Sequence, residues 1–262
     1  MKKVLTVAGS DSGGGAGIQA DLKTFAALRV YGTSVITALT AQNTLGVHGV
    51  HPVPAEFVAR QLDAVLSDMD IEAAKTGMLV NADIIEVVAR KVKDYGLKQL
   101  VVDPVMVATT GGSLLAEKAE AALKKELLPL ALLITPNLPE AEVLTGRKIK
   151  TEKDMRECAR ILHDMGVSFV LIKGGHLEEE AEEAVDILYD GANYYRFTKP
   201  KLKINATHGS GCTLSAALTA LLAQGLPVEE AVARAKEFVF QSIKGAFPVG
   251  KGVLPVNPLA ML

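Results

Sequence analysis

The chain contains no tryptophan, and aromatic residues make up only 5% of its 262 positions. Its core must therefore be aliphatic. Cysteine is almost as scarce: Cys158 and Cys212 are the only two. They cannot build a disulfide framework, which points to a reducing cytoplasm. Neither sign of charge is in excess, with 28 Lys and Arg against 30 Asp and Glu and a net charge of −2. That leaves no electrostatic footprint for nucleic acid or a membrane surface. No apolar run is long enough to span a bilayer. The opening Met1-Lys2-Lys3-Val4-Leu5-Thr6-Val7-Ala8-Gly9 is basic and then apolar, like a signal peptide. Its apolar part is short and runs into Ser10-Asp11, so it reads as a first strand. The five histidines (His48, His51, His163, His176 and His208) have no paired metal-ligand spacing, which argues against zinc.

What the chain has in quantity is Val, Leu, Ile and Ala, within a hydrophobic fraction of 49%. Parallel sheets covered on both faces have this composition. Strand patterns fall at 4–9, 33–41, 72–76, 100–106, 132–137 and 169–175, each ending in Gly, Asp, Pro or Asn. Helical patterns lie between them, near 16–30, 54–68, 82–95, 115–128, 139–145 and 152–165. The alternation predicts an α/β fold, with a mostly parallel central sheet between two helical layers, as one domain over 1–262. Residues 184–199 break the rhythm and predict a β-hairpin around Asp190-Gly191. Two helices follow, about 211–224 and 228–247.

Open parallel sheets bind ligands beyond the carboxyl ends of their strands. Those ends carry Gly9-Ser10-Asp11, Gln42-Asn43, Lys75-Thr76-Gly77-Met78, Asp103-Pro104, Thr135-Pro136-Asn137 and Lys173-Gly174-Gly175-His176. All should converge beside Thr207-His208-Gly209-Ser210-Gly211-Cys212, a glycine-broken loop opening into an alanine-rich helix. Such a helix start aims backbone N–H groups and the positive dipole end at one point, an anion site made by Gly209, Ser210, Gly211 and Cys212. A thiol there is expected to have a lowered pKa and to serve as a base. Asp11-Ser12-Gly13-Gly14-Gly15-Ala16-Gly17 lacks both the acidic partner of a dinucleotide fingerprint and the Gly-Lys-Ser/Thr of a Walker loop. It fits best a tight turn that lets backbone approach a small ligand, with a merely flexible loop as the plainer alternative. Asn137 and Glu140 are explained by helix capping and dipole alone. Beside Asp103 and the anion loop they also fit a Mg²⁺–water shell, because Mg²⁺ keeps most of its waters and needs one or two carboxylates plus phosphate. Lys173 either meets phosphate or snorkels. His208 is read as a loop contact, Cys158 as a packed thiol, and Met78 and Met106 as the floor of a pocket.

The order of these segments carries a resemblance. Gly9–Thr24, Val35–Thr44, Lys75–Leu79, Asp103–Ala108, Ile134–Glu140, Lys173–His176 and 207–217 together resemble the hydroxymethylpyrimidine/phosphomethylpyrimidine kinases of thiamine biosynthesis, in the ribokinase-like superfamily. The resemblance covers nearly the whole chain. It implies two ATP-dependent phosphorylations, of 4-amino-5-hydroxymethyl-2-methylpyrimidine and then of its monophosphate. By the same resemblance Gln42 bonds the pyrimidine, and Gly9, Asp21, Met78 and Val105 line its pocket. Asn137, Lys173, Thr207 and Ser210 meet the nucleotide phosphates, and Glu140 and Asp103 the Mg²⁺. Cys212 stands where sugar-kinase relatives carry an aspartate base, with Gly209 and Gly211 completing the anion hole. A homodimer is implied as well. There are two departures: Ala206 stands where the family often has Asn, and Leu254-Pro255 replaces Gly-Pro in a tail implied to pack over the nucleotide. The nearest rival is a pyridoxal kinase of the same superfamily. Some pyridoxal-active relatives carry a cysteine just after the Asp-Pro-Val-Met-Val segment, where this chain has Ala108-Thr109-Thr110-Gly111-Gly112. A non-catalytic pyrimidine-binding protein is the reading from a different class.

Overall fold

The protein is described by a computed structural model, in which residues 1–105, 117–175, 177, 182–204 and 208–261 are placed. Aliphatic runs, buried almost continuously in the central strands, form one sheet of nine strands, in the order β3-β2-β1-β4-β5-β6-β7-β8-β9. The strands are β1 Lys3–Asp11, β2 Tyr31–Asn43, β3 Gly46–Pro52, β4 Ala73–Thr76, β5 Leu100–Val102, β6 Leu133–Ile134, β7 Phe169–Gly174, β8 Glu183–Tyr189 and β9 Tyr194–Pro200. From β2 to β7 all neighbours are parallel. β3, β8 and β9 add antiparallel edges.

The helices are α1 Gly17–Ala27, α2 Ala55–Leu66, α3 Ala82–Asp94, α4 Glu117–Ala122, α5 Leu138–Thr145, α6 Glu152–Asp164, α7 Ser210–Ala223 and α8 Val228–Lys244. Successive strand residues point to opposite faces. Accordingly Val102, Ile134, Val170 and Ile172 pack with α2, α3, α5 and α6, whereas Val101, Leu133 and Leu171 pack with α7 and α8. Val4 and Ala73 meet Phe25 of α1 and Ala216 and Ala220 of α7 on the second face. The result is the expected three-layer α/β arrangement. In α7 every residue from Thr213 to Ala223 is buried, which is what a helix apolar on all sides requires.

Four local features differ from the sequence reading. β3 falls in a stretch to which no element is assigned: Gly46-Val47-His48-Gly49-Val50-His51-Pro52 has two glycines, a proline and no buried position, so no core-facing alternation marks it. It forms because β2 runs to Asn43 and turns back on itself. The helix expected at 115–128 is described from Glu117 and passes into a wider π turn over Leu123–Leu127. β5 stops at Val102, ahead of Asp103-Pro104, because proline has no N–H for the ladder. The hairpin loop is 190–193 rather than a two-residue turn, because Asp190 Oδ1 accepts from the Ala192 and Asn193 amides and closes it.

Candidate active site

The carboxyl ends of the parallel strands and the start of α7 enclose a cavity of about 950 Å³. Its wall includes Gly9, Asp11, Gln42, Met78 and Val105 at one end, Asp103, Asn137, Glu140 and Lys173 at the other, and Gly209 to Cys212 between them.

The two glycine loops are interlocked through Asp11. Its Oδ1 accepts from the Gly13 amide at 2.8 Å, and Oδ2 from the Gly15 and Ala16 amides at 3.0 and 2.8 Å. His208 Nε2 lies 3.1 Å from the same Oδ2. Burial works against the charge, but the His208 bond and the Gly13 and Ala16 amides outweigh it and hold the carboxyl below its usual range. These loop amides are therefore spent on Asp11 and do not cradle a phosphate. The close approach needs glycine: a Cβ on Gly209 (φ 80°) would lie 1.9 Å from the Gly15 carbonyl oxygen, and one on Gly17 (φ 55°) 2.3 Å from that of Gly9. Both observations favour the tight-turn reading of the 11–17 loop over a flexible one.

Gly209 caps α7, and Ser210, Gly211 and Cys212 form its first turn, whose N–H groups lie at the positive end of the helix dipole. Cys212 is half-buried at this helix start. Its thiol departs from the expected lowering. Burial pushes it up to about 11, and the carboxylates of Asp21 and Asp103 add to the rise, against the pull of Lys75 and the Gly17 N–H.

Beneath this floor lies an ion pair with no solvent exposure at either side chain, Lys75 Nζ to Asp21 Oδ1 at 2.8 Å. Thr6 Oγ1 donates to Asp21 Oδ2 at 2.7 Å. Asp21 is thus not on the pocket wall, as the resemblance implied. Its carboxylate faces inward because the buried ammonium of Lys75 needs a counter-charge. Burial opposes the charge on Lys75, but Asp21, Cys212 and Asp103 hold its pKa above the ordinary value.

At the far end Lys173 Nζ stands 3.2 Å from Asp103 Oδ1 and 4.0 Å from Glu140 Oε2. These carboxylates outweigh burial and keep Lys173 a firm cation. A Cβ on Gly211 would come within 3.4 Å of that ammonium, so glycine brings the helix start close to it. Asn137 and Glu140 form a capping box, each accepting from the other's backbone amide at 2.8 Å. At the near end Gly9 leaves room for Met78, whose Cε would lie 2.4 Å from a Cβ there. Thr207, Ala206, Met106 and His176 lie outside the described residues.

Sequence reasoning placed His208 as a loop contact but missed its partner, and it missed one further group. His208 is 6% exposed and ties the loops together; Asp11 is 197 residues away, so spacing carried no signal for the pairing. A second buried pair, Lys236 Nζ to Asp186 Oδ2 at 2.6 Å, also lines the cavity. An aspartate inside the apolar run Val185-Asp186-Ile187-Leu188 was the available clue.

Residues 11–257 match the family described as phosphomethylpyrimidine kinase. The chain belongs to that family. It is 50% identical over 258 residues to the hydroxymethylpyrimidine/phosphomethylpyrimidine kinase of Bacillus subtilis, covering 98% of this chain and 95% of the relative. It is 56% identical to the thiamine biosynthesis bifunctional protein ThiED of Geobacter sulfurreducens, covering 97% of this chain but only 51% of that longer protein. Among solved structures, an ADP complex of Bacillus subtilis pyridoxal kinase superposes with a TM-score of 0.93 at 43% identity, over 100% of this chain and 98% of the other. The family therefore shares its fold with kinases acting on a different alcohol.

Proposed function

We propose that this chain transfers the γ-phosphoryl group of ATP to the hydroxymethyl oxygen of 4-amino-5-hydroxymethyl-2-methylpyrimidine, and then phosphorylates the monophosphate to the diphosphate. The observation that carries this reading is one continuous cavity with Gln42 at one end, Lys173 at the other and the α7 start between them. Phosphoryl transfer asks chiefly for positioning and charge stabilisation. The first-turn N–H groups of α7 supply donors for charge on the transferred group, as an oxyanion hole does. Lys173 offers a second positive charge on the donor side.

Mg²⁺ fits this site only as an ion held largely by water and phosphate. Asp103 and Glu140 flank Lys173, and among the described residues no group of three His, Cys, Asp or Glu gathers around a metal position. When bound with ATP it would neutralise charge on the phosphate oxygens, with Asp103 and Glu140 as its protein partners.

In the first step the alcohol loses a proton, and Cys212, at the start of α7 on the cavity wall, is our candidate to take it. A phosphate monoester, with its second pKa about 6, is already largely ionised at pH 7. Cys212→Ala should therefore depress the first phosphorylation far more than the second. Separate assays with the alcohol and with its monophosphate read this difference; equal losses would leave Cys212 a packing residue. Pyridoxal is the second reading, favoured by the solved neighbour and disfavoured by the absence of cysteine at 108–112. Comparing kcat/KM for the two alcohols decides between them, and ligand binding without ATP turnover would favour a non-catalytic pyrimidine-binding protein. No helix among the described residues is long and apolar enough to cross a membrane, and both cysteines are free, which supports a reducing cytoplasm. The homodimer implied by resemblance is supported by Leu39, Leu45 and Val50, exposed on the β2–β3 arm, and is tested by sedimentation.

A further inference from the structure

Lys173 and Asp186 are register partners on β7 and β8. Residues directly opposite in an antiparallel pair put their side chains on one face, with Cβ atoms about 5 Å apart. Asp186 is therefore a ready counter-charge for Lys173, and a buried ammonium needs one. Lys173 nevertheless turns elsewhere. Its Nζ stands 3.2 Å from Asp103 Oδ1 and 4.0 Å from Glu140 Oε2, on the side of the α7 start. Asp186 is already satisfied. Its Oδ1 accepts from the Gly174 amide at 3.1 Å, and its Oδ2 from Lys236 Nζ at 2.6 Å. Lys236 reaches it from α8, and each side chain of this pair is only 10% exposed. Two lysines and two aspartates thus share the cavity wall, and the pairing that exists leaves Lys173 on the α7 side.

We propose that Lys236 is a positioning residue for Lys173. By neutralising Asp186 it removes the charge that would draw the Lys173 ammonium across the β7–β8 pair, and so keeps that ammonium beside Asp103 and the first turn of α7. The Gly174 amide holds the Asp186 carboxylate in place, so with Lys236 gone the negative charge stays opposite Lys173. A buried carboxylate that has lost its cation is costly, and capture of Lys173 relieves it. Lys236 acts through this exchange of partners rather than by touching the nucleotide. The inference rests on the reading that Lys173 meets the donor phosphates. It makes a claim that a mere support of the fold does not: the damage from losing Lys236 is done by Asp186, and neutralising Asp186 repairs it.

Lys236→Gln tests this, because glutamine can still donate to Asp186 Oδ2 but leaves its charge uncompensated. In the full chain with ¹³C-labelled lysine and no nucleotide, the Lys173 Cε signal, assigned by its loss in Lys173→Ala, should move in Lys236→Gln and return when Asp186→Asn is added. A signal that stays fixed, or that moves alike in both variants, overturns the inference. ATP affinity, measured by calorimetry, should fall about tenfold in Lys236→Gln, the scale of one hydrogen bond to a charged group, and return to within about threefold of the wild type in the double variant. In a Lys173→Ala background, Lys236→Gln should change ATP affinity by less than about twofold, because the effects of coupled groups do not add. A loss that survives Asp186→Asn, or that adds to that of Lys173→Ala, would make Lys236 a phosphate ligand or a support of α8, and the inference fails. If the wild type and Lys173→Ala bind ATP equally, the donor reading of Lys173 fails instead, while the lysine signal still decides the pairing.

Discussion

Cys212 is where one side chain meets opposing physical terms. A helix start favours a thiolate, but here burial and the carboxylates of Asp21 and Asp103 win, and the thiol stands at about 11. The sign of the consequence is fixed. Below that value the thiol is protonated, and the thiolate fraction rises about tenfold per pH unit, from roughly 10⁻⁴ at pH 7. A base that scarce is also strong, which suits an alcohol proton. The first phosphorylation should accordingly climb with pH between about 7 and 9, while the second, whose nucleophile is already ionised, stays nearly flat over that range. Profiles of kcat/KM for the two acceptors check this, and two flat profiles would remove Cys212 as the base. Directly below, Lys75 and Asp21 share complete burial. Removing one partner of such a pair strands a charge and costs about 3–5 kcal/mol, whereas replacing both with apolar groups is often neutral. Lys75→Met should lower stability by that amount in urea titrations, and Lys75→Met with Asp21→Leu should recover most of it. A double variant as unstable as the single one would mean that the pair matters for its packing rather than its charge.

Among the elements, α7 sets the geometry of transfer. Its cap, Gly209, sits at φ 80° with the Gly15 carbonyl where a Cβ would be. Gly209→Ala should force the two loops apart and move the first-turn N–H groups. Losing an oxyanion donor costs about 10²–10³ in rate, and both phosphorylations should fall by that order together. A loss confined to the first step would assign the cap to Cys212 placement alone. The elements differ in how legible they were. The strands of the parallel sheet and helices such as α3 and α6 announce themselves by periodic burial of Ile84, Val88 and Val92 or of Met155, Cys158 and Leu162. β3 buries nothing, so it follows from pairing with β2 and not from its own residues. The site was legible as a set of strand ends, because topology alone gathers them at one edge. Its internal wiring was not: the inward-facing Asp21, the Asp11–His208 clamp and the raised thiol depend on what lies opposite, and contacts across 197 residues leave no periodic trace.

At the scale of the whole molecule, the tail bridges two segments that contribute to the cavity wall, the end of β2 and the loop before α7. Gly252 and Val253 donate to Thr44 Oγ1 and its carbonyl at 3.1 and 2.9 Å. Val256 then donates to the His208 carbonyl at 3.1 Å, and Asn257 to that of Ser242 at 2.9 Å. The tail therefore straps the end of β2, which carries Gln42, to the loop that carries His208. Under the proposed function this is the acceptor end of the cavity. We propose that the chain folds as one domain, with both core layers built on the same nine-stranded sheet. The strap adds little to its stability. A few backbone hydrogen bonds contribute roughly 1 kcal/mol each, and ordering each tail residue costs about 1–2 kcal/mol. A chain ending at Pro248 should consequently unfold in one transition within about 5 °C of the full chain, since 1 kcal/mol moves Tm by roughly 2–4 °C at this size. Its kcat/KM for the 4-amino alcohol should nevertheless fall by about tenfold or more, because His208 and Thr44 lose their common tether while the α7 start and Lys173 keep theirs. ATP affinity, measured by calorimetry, should stay within about twofold, a change of roughly 0.4 kcal/mol. Equal damage to acceptor and nucleotide would instead make the strap a general support of the fold, and a second resolved unfolding transition would divide the chain into more than one cooperative unit.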